Sequence, residues 1–175
     1  GITSLLVVGL SVVSPDQFSN FGDIENVLKD PKPVNSLSGR IGSDGPILVV
    51  KIDDTRAAHP QAGLEDADVV YIEQVEGGAT RIAALYSSKY PEVVGPVRSA
   101  RISDIEILAQ YGKVGFAYSG AQQRLTTVIN ASNIFNMSAE RFGYYEPYFR
   151  DESRYAPVNL YINPQTLLEK AHAKD

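Results

Sequence analysis

Two arginines three residues apart, Arg98 and Arg101, stand in the stretch GPVRSAR just after a Gly-Pro turn. Arginine grips carboxylates and phosphates through paired N–H donors, so two of them in so short a span ask for a negative partner. Ser99 reads as the N-cap of a helix running through SARISDIEILAQYG and closed by Gly112. Free backbone N–H groups and the helix dipole already favour anions at such an end. The partner is either internal, with Glu73, Asp53 and Asp104 as candidates, or the carboxylate or phosphate of a ligand. The residues alone leave both readings open.

The carboxylates that could do acid–base work lie in DVVYIEQVEGGATRIAALYSSK. Val69, Tyr71, Glu73 and Val75 alternate onto one strand face, while Val70 and Ile72 take the other. Both faces are apolar, which predicts a central strand covered on both sides, with Glu73 in a dry place. Burial would raise its pKa unless a cation met it; Arg81, Arg98 and Arg101 are the expected partners. Glu76 sits beside Gly77 and Gly78, with Thr80 and Arg81 across the turn. This EGGATR turn is either a surface ion pair or the lining of a cleft, where glycine lets a ligand approach the backbone.

Other chemistry is excluded by what the chain lacks. It has no cysteine, which removes disulfides, thiolate nucleophiles and zinc–thiolate sites. Its two histidines, His59 and His172, are far apart in sequence, which rules out a multi-histidine metal site within one chain. No phosphate-binding glycine loop or nucleophile elbow occurs, so neither a metal nor another cofactor is called for. The formal net charge of −5 argues against a broad nucleic-acid footprint, so an anion site has to be a local arginine cluster. Tyr144, Tyr145, Tyr148 and Phe149 could stack on a ligand or simply pack a loop.

The elements that must position these residues read as follows. The 175 residues, 43% hydrophobic and 21% charged, suit an ordinary globular domain. ILVVKIDD is a buried strand, and the Gly77-Gly78 pair supports a long hairpin from Asp68 onward. VGFAYS and VNLYI are further strands, and AQQRLTTVIN is a second helix. Asn163 caps a last helix with Pro164 at its first position. The fold class is a mixed α/β domain whose central mixed sheet carries a long hairpin and is flanked by helices. Residues 1–45 are set apart as an apolar segment (Ile2 to Val13) followed by a polar linker, leaving 46–175 as the single domain. The apolar run is shorter than the ~20 residues a spanning helix needs. It is either the end of a truncated signal or anchor segment, which would allow membrane association, or an ordinary buried element.

KIDD, then HPQAGLEDADVVYIEQVEGGATRIAALY, GPVRSARISDIEILAQY and APVNLY occur in that order between Ile47 and Tyr161. Together they resemble the YerB-like family of bacterial lipoproteins, whose shared domain has no assigned function. The resemblance implies an exported, membrane-anchored protein of the bacterial cell envelope. It also places the family's recurrent polar residues on Asp53, Gln61, Glu73, Glu76, Thr80, Arg81, Arg98, Ser99, Arg101 and Asn159. Three positions depart from the family pattern. Asp54 replaces an asparagine, His59 an arginine, and Val158 a histidine; the loss of that histidine counts against enzymatic chemistry.

Two functions follow as expectations. One is an extracytoplasmic binding or scaffolding module, anchored or secreted. Arg81, Arg98 and Arg101, helped by Gln61, Thr80, Ser99 and Asn159, would hold an anionic wall polymer or peptide carboxylate; a protein partner is the other candidate. The alternative is a wall-glycan hydrolase or lyase, with Glu73 as general acid and Glu76 or Asp53 as second carboxylate.

Overall fold

The computed structural model describes residues 32–173, so the apolar run from Ile2 to Val13 lies outside the described residues. The described chain is mixed α/β. It has seven strands, β1 (Leu48–Asp53), β2 (Val69–Gln74), β3 (Thr80–Tyr86), β4 (Val114–Ala117), β5 (Ile134–Asn136), β6 (Tyr148–Arg150) and β7 (Leu160–Ile162). Four α-helices accompany them: α1 (Ser103–Ala109), α2 (Gln123–Ala131), α3 (Ala139–Phe142) and α4 (Pro164–His172). Five strands form one sheet in the order β2-β3-β1-β4-β5, and β6 and β7 form a separate antiparallel pair. β3 is antiparallel to both β1 and β2, whereas β4 is parallel to β1 and β5 parallel to β4.

Alternation along β1 builds two cores. Leu48, Val50 and Ile52 face a layer that includes Tyr148, Leu160, Ile162 and Leu167. Val49 faces the opposite layer with Leu108 of α1 and Leu125 and Ile129 of α2. All six residues of β1 are buried, as its apolar β-branched run predicts. The hairpin joining β2 and β3 also forms as expected, with Gly77 and Gly78 at φ 72° and 74°. Asn163 accepts from the Thr166 N–H, and Pro164 opens α4.

Three expectations need correction. β2 is an edge strand rather than a central one, and Val70 and Ile72 are 42% and 68% exposed. Apolar residues on both faces cannot separate edge from centre; β1 is the strand enclosed on both faces and both edges. α1 begins at Ser103, so Ser99 is not its cap. The backbone of the segment before α1 is committed to the sheet instead. Arg98 N–H donates to Lys51 O, Ser119 N–H to Arg98 O, and Ala100 N–H to Gly120 O. Within the stretch assigned to the linker, the residues from Val34 on are docked. Asn35 is buried and its amide donates to Asp44 Oδ1 and Ser87 Oγ, while Gly45 N–H donates to Ser87 O.

Candidate functional site

The chain leaves the C-terminal end of β1 toward β2 and β3, and leaves that of β4 toward β5 on the other side. Adjacent parallel strands whose connections diverge in this way leave a crevice at their C-terminal ends, the usual ligand position in open α/β sheets. GPVRSAR fills it. Residues 96–100 wedge between the two strand ends, with Val97 bridging Ile52 and Ser99 Oγ 3.4 Å from Ser119 Oγ. Gly95 permits this path, since a Cβ there would lie 2.7 Å from Tyr161 Cδ1.

Register brings the charges together. Asp53, Arg81 and Glu73 are direct neighbours across β1, β3 and β2, so all three project from one face at the crevice end. Arg98 Nε lies 2.7 Å from Asp53 Oδ2, but neither atom completes a hydrogen bond, so the contact is a charge pair out of line. Arg101 Nε donates to Glu76 Oε2 at 2.8 Å, and Arg101 Nη1 to Ala100 O. Arg81 Nη1 donates to Ser99 O. Burial and then the charges of Arg101 and Arg98 hold the Arg81 guanidinium below its usual pKa. Three guanidinium groups therefore converge here, with Asp53 and Glu76 as the carboxylates paired to them. Thr80 Oγ donates to Asp54 Oδ2, and Gln61 Nε2 to Asp53 O and Asp54 Oδ1, extending the same polar end. Asn159 is tied elsewhere, its Oδ1 accepting from Arg150 Nη1 at 2.7 Å.

Glu73 is buried as expected, yet its cation is none of the arginines. Lys51, fully enclosed in β1, donates to Glu73 Oε1 and also to Asp104 Oδ1 at 2.7 Å. Ser103 Oγ donates to Glu73 Oε2, and Asp104 Oδ2 accepts from Arg101 N–H at 2.6 Å. Burial works to raise the Glu73 carboxyl, but the hydrogen bonds from Lys51 and Ser103 outweigh it and hold the pKa below its ordinary value. Burial pushes Asp104 up to about 6 against the pull of Lys51, with the charge of Glu73 adding to the rise. The anion at the start of α1 is thus the chain's own Asp104. One missed residue is Lys51, and the signal was a lysine in the middle of an otherwise apolar strand.

The aromatic cluster divides. Tyr148 is buried, with its hydroxyl on Met137 O, Phe149 stacks on Tyr161 at 6.0 Å, and Tyr145 is 97% exposed. His59 is half exposed, 3.4 Å from Asp54 Oδ1. Among the described residues no group of three or more His, Asp or Glu side chains is placed to hold a metal ion, and no helix is long and apolar enough to cross a membrane.

An α/β domain of this fold has a known counterpart. Residues 36–175 match the N-terminal domain described as "Protein of unknown function (DUF3048)", and the chain belongs to that family. It is 36% identical over 100 residues to YerB of Bacillus subtilis (strain 168), a protein whose name describes it as a lipoprotein; the match covers 57% of this chain and 30% of that protein. The crystal structure of YerB from Bacillus subtilis superposes with a TM-score of 0.75 at 26% identity, covering 82% of this chain and 50% of that one. The chain thus spans half or less of the relatives it matches. The mixed α/β fold and the YerB-like family expected from the motifs both hold.

Proposed function

We propose that this chain is an extracytoplasmic binding module of the bacterial cell envelope, holding an anionic ligand at Arg81, Arg98 and Arg101. The envelope location rests on the lipoprotein relative. The ligand reading rests on one observation: Arg98 Nε is buried and paired by charge to Asp53 Oδ2 at 2.7 Å without completing a hydrogen bond, while the side chain as a whole is 27% exposed. Arginine carries five N–H donors, and those of Arg98 beyond the buried Nε are open to solvent, where a ligand oxygen can take them. Arg81, whose guanidinium bonds only Ser99 O among the described residues, stands beside it. A phosphate or carboxylate at the crevice mouth would meet both and relieve the repulsion among the three cations.

One observation favours binding over the hydrolase alternative. A general acid must hold a proton near neutral pH, whereas the bonds from Lys51 and Ser103 outweigh burial and lower the pKa of Glu73. Glu73 here has a scaffold role, with Lys51 and Asp104 supporting the arginine layer above.

The test is calorimetric titration of the chain with pyrophosphate at low and at physiological salt. Binding by wild type that is lost in both Arg98→Ala and Arg81→Ala supports the site. Binding unchanged in both variants, or absent from wild type, sinks it.

A further inference from the structure

Beyond the crevice the charged surface continues into a groove of about 290 Å³ between residues 100–102 and α2. Its walls are aliphatic. Leu125 forms the buried floor, while Ile102 and Val128 stand 66% and 41% exposed on either side. Each side also carries a guanidinium. Arg101 comes from the crevice segment, and Arg124 from α2 has no side-chain partner among the described residues. Gln122, exposed and likewise without a side-chain partner among the described residues, adds an amide that can both donate and accept.

We infer that this groove is the second half of the anion site and takes a short acidic peptide. Its carboxylate would lie between Arg101 and Arg124, and an aliphatic side chain would rest against Ile102, Leu125 and Val128. This builds on the proposed binding of an anion at Arg81 and Arg98. Charge complementarity sets the sign of the ligand, since two guanidinium groups face one carboxylate, that of Glu76. The aliphatic walls distinguish a peptide from a bare phosphate, which would leave them wet. At about 290 Å³ the groove is at the bottom of the ~300–1,000 Å³ range of ligand pockets, which suits a short ligand.

Glu76 then has a definite part. Its carboxylate is 70% exposed at the hairpin tip and occupies Arg101 Nε, the position the peptide carboxylate would take. It is a built-in competitor that the ligand displaces.

The experiment is titration of the chain with N-acetyl-leucyl-glutamate, its neutral glutamine-amide analogue, glutarate and pyrophosphate. The leucyl-glutamate should bind at least about tenfold tighter than glutarate, and the neutral analogue should fail. Arg124→Ala should weaken leucyl-glutamate about tenfold while leaving pyrophosphate unchanged, and Glu76→Gln should tighten it severalfold. Arg124 and Glu76 are exposed, and circular dichroism would confirm that both variants fold. If pyrophosphate binds through Arg98 but leucyl-glutamate is no tighter than glutarate, or is indifferent to Arg124→Ala, the groove assignment is wrong and the crevice site stands. If no anion binds wild type, both fall.

Discussion

Lys51 Nζ lies 2.7 Å from Asp104 Oδ1 with neither side chain exposed to solvent, and the same ammonium also bonds Glu73. One cation therefore holds two carboxylates between β1, β2 and α1. The grouping is layered. The inner set carries one net negative charge when Asp104 is ionised, while the outer set of Arg81, Arg98 and Arg101 with Asp53 and Glu76 carries one net positive charge. With Asp54, which accepts from Thr80 and Gln61 at the same end, the whole polar end carries one net negative charge, and the positive charge is local to the three arginines. Asp104 joins the layers, because its second oxygen accepts from the backbone of Arg101.

Removing the central cation should be severe. Lys51→Met fills similar space but leaves Glu73 and Asp104 buried against each other with no counter-charge. Breaking a buried pair by deleting one partner costs about 3–5 kcal/mol, and urea denaturation should show a loss of that order with an unchanged m-value. Glu73→Gln should also destabilise, by less, since Lys51 keeps Asp104. A variant at Glu73 as stable as wild type would contradict the scaffold role.

The same cluster fixes a pH dependence. The folded pKa of Asp104, raised to about 6, exceeds its unfolded value, so its contribution to stability is fully present below pH ~3.8 and is lost as the pH rises through about 6. Glu73, with its pKa lowered, works the other way, losing its contribution as the pH falls through its folded value. The readout is therefore a difference. The stability of wild type relative to Asp104→Asn should grow as the pH falls from 7 to 4, by up to about 3 kcal/mol. A difference that stays flat across that window would mean Asp104 ionises normally.

How far the sequence could show this end of the molecule depends on which contacts are local. The β2–β3 hairpin and the Asn163 cap are short-range events, and Gly77-Gly78 and Asn163-Pro164 announce them. The pairing of β1 with β4 joins residues more than sixty positions apart, and no local pattern marks it. That pairing turns β1 into the central strand, makes β2 an edge, and draws residues 96–100 out of helix into the crevice. Arg81, Arg98 and Arg101 were recognisable as one group from their charge alone. Lys51 was not, because the residue types in its strand spoke for burial and an ammonium there makes sense only once Glu73 and Asp104 arrive from β2 and α1. Arg124 was missed for a similar reason: an arginine on a solvated helix looks ordinary until residues 100–102 form the opposite wall.

Arg98 can be separated into its two tasks. Its charge neutralises Asp53, whose side chain is 1% exposed, while its N–H fork is the part that the proposed ligand would meet. Arg98→Ala removes both, so it should abolish pyrophosphate binding and also cost about 1–3 kcal/mol by leaving a buried carboxylate unmatched. Arg98→Lys keeps a cation near Asp53 but lacks the planar fork that meets two oxygens at once. It should recover most of the stability while binding pyrophosphate at least about tenfold more weakly than wild type. Thermal melts and titrations on the same three proteins give both numbers. If lysine restores binding together with stability, the site needs only a point charge and paired N–H recognition is wrong. If alanine costs neither, Arg98 is a solvated surface residue and the crevice holds no ligand through it.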